Sequence, residues 1–145
     1  GPPALMRVVD ASIAAKWVVA EAGSDAARRV LEGPGPLIAP DLLVAEVGNV
    51  LWKKVTRRAI TQRHAQEAII WLPELFDRLF DSAALAPRAL EIAAEHGATV
   101  YDSLYVALAE AAGGEAVLVT ADPILQALAT QAGLPRQRVA LVVGA

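Results

Sequence analysis

Short, uninterrupted apolar runs separated by helix-length stretches constrain this chain more than any other feature. Met6-Arg7-Val8-Val9-Asp10, Leu37-Ile38-Ala39, Ala116-Val117-Leu118-Val119 and Val139 to Val143 are too short for helices and do not alternate as a strand with one wet face would. A strand apolar on both faces belongs inside a parallel sheet, and a parallel sheet needs crossover helices to connect and cover it. The intervening segments have the length and punctuation of helices. The pattern therefore predicts an α/β fold, a three-layer α/β/α domain around a central, mostly parallel sheet.

The helix boundaries follow from cap chemistry. Ser12 to Ala20 forms a helix that stops before Gly23, and Ser24 caps a second that runs to Gly33. Asp41 caps a helix from Leu42 to about Arg58, whose C-terminal end carries Lys53, Lys54, Arg57 and Arg58 where the helix dipole favours cations. Thr61 caps the next, through Ile69, Ile70 and Trp71, until Pro73 kinks or ends it. Leu79 to Leu85 fits strand and helix equally. Pro87 at a first turn and Gly97 as terminator bracket another helix, one more runs from about Asp102 to Gly113-Gly114, and the last lies between Asp122-Pro123 and Gly133. Gly1-Pro2-Pro3-Ala4-Leu5 reads as an expression remnant ahead of Met6, which leaves residues 6–145 as one domain.

Composition narrows the function. A formal net charge of −3 repels a polyanion, which counts against a passive nucleic-acid binder but suits a site whose acids are neutralised by bound cations. Without cysteine there is no disulfide framework, thiolate nucleophile or Cys-based zinc site, in keeping with a cytoplasmic protein. No apolar run is long enough to span a membrane, and Asp10 and Lys16 break the one candidate signal core.

In a chain that is 55% hydrophobic, acids in apolar surroundings need a reason. Asp10 ends the first strand and Asp122 follows the Val119 strand, so both fall at the carboxyl edge of the sheet, where ligands of open α/β folds bind. Either is equally readable as a helix cap, and so is Asp102 before Leu104 to Ala109. Glu46 is different, because it sits inside the apolar stripe Leu43, Val47, Val50 and Leu51 of its helix, where no cap explains it. Its alternatives are a buried partner such as Arg or a bound cation. Asn49 adds a neutral polar group on nearly the same face. Clustered carboxylates repel one another unless a cation intervenes, and hard oxygen donors without His or Cys favour Mg²⁺ or Mn²⁺.

Four blocks make the reading specific. Val8-Val9-Asp10-Ala11-Ser12, Glu46-Val47-Gly48-Asn49-Val50-Leu51, Tyr101-Asp102-Ser103-Leu104-Tyr105 and Val119-Thr120-Ala121-Asp122 resemble, in order, the signature blocks of PIN-domain nucleases. The likeness runs from Met6 onward and is nearest to the VapC-type toxins of bacterial type II toxin–antitoxin systems. The resemblance implies a PIN-like fold, an endoribonuclease using one or two Mg²⁺ or Mn²⁺ ions, a homodimer, and a small VapB-type antitoxin that blocks the acidic site. By position, Asp10, Glu46, Asp102 and Asp122 match the metal-binding catalytic quartet, and Ser12 and Thr120 match hydroxyl positions that support it.

Other readings are a PIN-like RNA-processing nuclease that is not a toxin and a PIN-like module that binds without cutting. A receiver-type signalling domain is disfavoured, since Asp10 is followed by Ala11 and no Lys occurs beyond Lys54; an Asp-nucleophile phosphatase would want an acid at Ser12. His64 and His96 read as solvated, and Tyr105 and the tryptophans as core or interface. The apolar segment Ile69 to Phe80 is expected either in the core or in a dimer or antitoxin contact.

Overall fold

The computed structural model describes residues 5–144, so the leading segment lies, apart from Leu5, outside the described residues. Five strands form one sheet in the order β3-β2-β1-β4-β5: β1 Arg7–Val9, β2 Leu37–Pro40, β3 Arg78–Phe80, β4 Val117–Thr120 and β5 Val139–Leu141. Every neighbouring pair is parallel, so the expected "mostly parallel" sheet is parallel throughout the described residues. Val8, Val9, Ile38, Ala39, Leu118 and Val119 are all buried, as continuous apolar strands covered on both faces must be.

Seven helices cover the sheet among the described residues: α1 Ala11–Val18, α2 Ser24–Glu32, α3 Leu42–Thr56, α4 Gln62–Trp71, α5 Ser82–His96, α6 Val100–Ala112 and α7 Pro123–Gln131. The strand order decides their layers. Steps β1 to β2 and β2 to β3 move one way along the sheet, whereas β3 to β4 and β4 to β5 move the other. Right-handed crossovers then place α1 to α4 on one face and α5 to α7 on the opposite one. Packing agrees, with α1 against α2 and α3, α3 against α4, and α6 against α5, α7 and the central strands. This is the three-layer arrangement expected from the strand and helix pattern. No helix among the described residues is long and apolar enough to cross a membrane.

Several local expectations change. Gly23, at φ 89°, occupies the cap of α2, while the Ser24 hydroxyl binds back to the Val19 carbonyl at 3.3 Å. Asp41 holds the cap position of α3, but its carboxylate accepts from the Ser82 hydroxyl at 2.5 Å instead of from its own helix. Pro87 lies inside α5, which begins at Ser82 behind the Asp81 cap. Thr61 caps α4 as expected, accepting from the His64 amide at 3.0 Å. The Ile69 to Phe80 segment divides: Leu72 and Phe76 enter the core, whereas Ile70 and Trp71 are exposed.

Candidate active site

The direction of the sheet reverses between β1 and β4, whose Val9 and Val119 are register partners. A topological switch of this kind opens a crevice beyond the strand ends. Asp10 stands there, immediately after β1, and Asp122 stands two residues past β4. Helices α1, α3 and α7 start from the same edge because each directly follows its strand, and α6 starts there because it returns to feed β4. The positive ends of α1 and α7 thus lie at Asp10 and Asp122, which hold their cap positions.

Asp10 is the most buried of the quartet, 5% exposed. Its Oδ1 accepts from the Ser12 hydroxyl at 2.7 Å and its Oδ2 from the Thr120 hydroxyl at 2.6 Å. Both hydroxyls are themselves oriented: Ser12 Oγ accepts from the Ala121 amide at 2.9 Å, and Thr120 Oγ1 from the Asp122 amide at 2.9 Å. Both oxygens of Asp10 are thus held by hydroxyls that are themselves held in place. Burial nevertheless pushes the Asp10 carboxyl up to about 6, against those hydroxyl bonds and the Ile13 amide, and the nearby Asp122 charge adds to the rise.

Glu46 projects from α3 between the buried Leu43 and Val47 and is half-buried itself. Its partner is neither Arg nor Lys. Tyr105, on α6 and 1% exposed, donates its hydroxyl to Glu46 Oε1 at 2.6 Å, joining helices from opposite layers above the sheet edge. Burial raises the Glu46 carboxyl, the Tyr105 bond opposes that, and Asp102 raises it further. Burial and the charges of Glu46, Asp10 and Asp102 push the Tyr105 hydroxyl far above its ordinary value, so it stays a donor. Reading Tyr105 as core or interface missed this role. The available signal was a phenol inside the buried stretch Ser103 to Ala109 of α6, where a hydroxyl needs a partner.

Asp102 is not a cap. Thr99 is, accepting from the Asp102 amide at 3.1 Å, which places Asp102 in the first turn of α6. Burial raises its carboxyl, as does Asp122, while Thr99 lowers it. Asp122 caps α7 through Oδ1, which accepts from the Ile124 amide at 2.9 Å. The cap uses one oxygen of Asp122, and a carboxylate has lone pairs to spare. Asn49 is exposed one turn beyond Glu46 and shares with Ser12 and Glu46 the lining of a cavity of about 750 Å³. His96 is half-buried rather than solvated and lines a second cavity beside Asp102, whereas His64 is exposed.

The acids are electrically coupled without a compensating cation. Asp10 feels Asp122, Asp122 raises Asp102, and Asp102 raises Glu46. None of the four takes part in an ion pair among the described residues. Nor do three His, Cys, Asp or Glu side chains there approach closely enough to close on a single ion. Glu46 and Asp102 line different cavities, and the acids do not converge on a point among the described residues. That arrangement fits a hydrated Mg²⁺ or Mn²⁺, which needs one or two direct carboxylates and keeps several waters.

A parallel α/β domain with uncompensated acids at its switch point is the class that fold and site define. The chain belongs to the PIN domain family, whose model matches residues 7–131. Ribonuclease VapC3 of Pyrobaculum aerophilum is 39% identical over 117 residues, 79% of this chain and 88% of that protein. Ribonuclease VapC1 of Mycobacterium tuberculosis is 39% identical over 133 residues, 88% of this chain and 92% of its own. Among solved structures, PAE2754 from Pyrobaculum aerophilum matches with a TM-score of 0.65 at 28% identity over 86% of each chain. Mycobacterium tuberculosis VapC20, a sarcin-ricin loop cleaving toxin, matches with a TM-score of 0.66 over 91% of this chain and 98% of its own; at 20% identity that likeness is one of fold alone.

Proposed function

We propose that this protein is a VapC-type endoribonuclease toxin, dependent on Mg²⁺ or Mn²⁺ and silenced by a VapB-type antitoxin seated over its acidic site. The observation that carries the reading is the group of acids at the carboxyl edge of the sheet without a cation partner among the described residues, with burial raising the proton affinity of Asp10, Glu46 and Asp102. The named activity of the VapC relatives, which match most of the chain, supports it. A homodimer and cytoplasmic action belong to the same reading.

Within it, Asp10 and Asp102 hold the ion, while Glu46 and Asp122 complete or polarise its shell. A bound Mg²⁺ or Mn²⁺ supplies an activated water and positive charge for the leaving oxygen. The chain supplies order. Ser12 and Thr120 fix both oxygens of Asp10 and leave its remaining lone pairs for the site. Tyr105 fixes one oxygen of Glu46 and leaves the other free to orient water or accept a proton. No protein nucleophile is required.

The test is cleavage of a mixed RNA panel with Mg²⁺, Mn²⁺ or EDTA, by wild type and by folded Asp10→Asn and Asp102→Asn variants. The reading expects metal-dependent cleavage that each substitution lowers at least about 100-fold, in the range of losing a transition-state electrostatic group. Undiminished cleavage in EDTA, or by either variant, overturns it.

A further inference from the structure

The cavity of about 750 Å³ beside the acids has the size of a small-molecule site and a mixed lining. Ala11, Ala15, Leu42, Ala45 and Val50 form apolar walls, and Ser12 and Glu46 make the edge shared with the acidic centre. Tyr101 also lines it, with 60% of its surface exposed, on the turn of α6 that carries Asp102. An exposed ring on a cavity wall is a stacking face. Asn49 adds an exposed amide with no hydrogen-bond partner among the described residues, able both to donate and to accept. Lys16 stands one turn beyond Ser12 on α1; its ammonium donates to the Ala22 carbonyl at 2.9 Å and forms no ion pair among the described residues. Two of its three donors remain available.

We infer that this cavity receives one unstacked nucleobase of the RNA next to the scissile phosphate, with Tyr101 stacking on it, Asn49 reading its edge and Lys16 holding an adjoining phosphate. Continuity with the acidic centre through Ser12 and Glu46 fixes the position of the base relative to the bond cut. A nucleobase suits the lining because its faces are apolar while its edge bears donors and acceptors. Lys16 supplies positive charge for a polyanion in a lining where Glu21, the acid other than Glu46, is neutralised by its ion pair with Lys54.

This inference rests on the ribonuclease reading, and its test separates the two. Cleavage of four fluorophore–quencher homohexaribonucleotides, of A, C, G or U, is measured in Mg²⁺ or Mn²⁺ across a salt series. Tyr101→Ala is expected to lower kcat/KM by roughly 5- to 100-fold, the loss of one base–aromatic stack, with Tyr101→Phe near wild type. Asn49→Ala is expected to change the ranking of the four bases, which a merely structural defect would scale together. Lys16→Gln is expected to raise KM and reduce the salt slope by about one. Thermal melts check that each exposed substitution leaves the fold intact. If wild type cleaves none of the four hexamers nor the mixed RNA panel, the ribonuclease reading falls. If wild type cleaves while Tyr101→Ala and Asn49→Ala leave rates and ranking unchanged, the nucleobase subsite falls alone. The same holds if these variants weaken only the binding of a co-expressed antitoxin, since the cavity then belongs to the protein partner.

Discussion

Replacing Asp10 by Asn should stabilise the metal-free protein while abolishing its cleavage of RNA. Asp10 is 5% exposed and its carboxyl is raised from 3.8 to about 6, mainly by burial. A group bound more tightly to its proton in the folded state contributes stability that is full below about pH 3.8, declines as pH rises, and is gone above about pH 6. The charged form at neutral pH thus costs the metal-free fold about 3 kcal/mol, at about 1.4 kcal/mol per pH unit. An uncharged amide removes that cost. It also presents an NH₂ to one of the two hydroxyls that now donate to Asp10, a mismatch costing about 1 kcal/mol. The net gain of about 2 kcal/mol corresponds to roughly 4–8 °C in Tm for a chain of this size. Circular-dichroism melts of both proteins in EDTA, at about pH 8 and about pH 3.5, bracket the titration window. The variant should melt higher at the upper pH, and the gap should close or reverse at the lower. Saturating Mg²⁺ should raise the melt of wild type and leave that of Asp10→Asn almost unmoved. A variant that melts lower in EDTA at the upper pH, or a gap independent of pH, would refute the idea that the fold holds a destabilised carboxylate there.

Three further outcomes follow from the same geometry. Tyr105→Phe removes the bond that lowers the Glu46 carboxyl, so Glu46 should hold its proton more tightly and the variant should lose more of its RNA cleavage than wild type as pH falls, with little change in fold. Asp122→Asn keeps a competent cap on α7 and Asp122→Ala does not, so Asn should preserve Tm where Ala loses about 1 kcal/mol, while both impair cleavage. In wild type, protonation of Asp10 near pH 6 should set an acidic limit on activity that shifts to lower pH as Mg²⁺ is raised, read from rates over a metal and pH grid.

Much of this site is legible from sequence because its acids sit at landmarks that strand patterns reveal. Asp10 and Asp122 follow the two best-marked apolar runs, and Glu46 breaks a helical stripe that is otherwise apolar. Local rules misassign residues whose partners are distant in the chain. Asp41 has cap chemistry, but Ser82, 41 positions on, competes for its carboxylate. The Arg78–Phe80 strand is three residues long at a sheet edge, and its neighbour Asp77 reaches the Leu37 amide at 2.7 Å; no local periodicity encodes that contact. Glu46 announces a need for a partner without naming it. The phenol that answers lies 59 positions away.

The hydroxyl of Thr120 reaches Asp10 across 110 positions of chain, and β1 lies against β4 in the finished sheet. A ribosome adding about 5–20 residues per second takes roughly 6–20 s to pass from Asp10 to Asp122. During that interval the first acid of the site exists without its last. Pairing so distant in sequence is also slow to form, because a long loop must close before the contacts that reward it. A nascent or truncated chain ending before Thr120 has neither the β4 edge nor the hydroxyl that orients Asp10. Order of synthesis thereby delays completion of the site until most of the chain has been made.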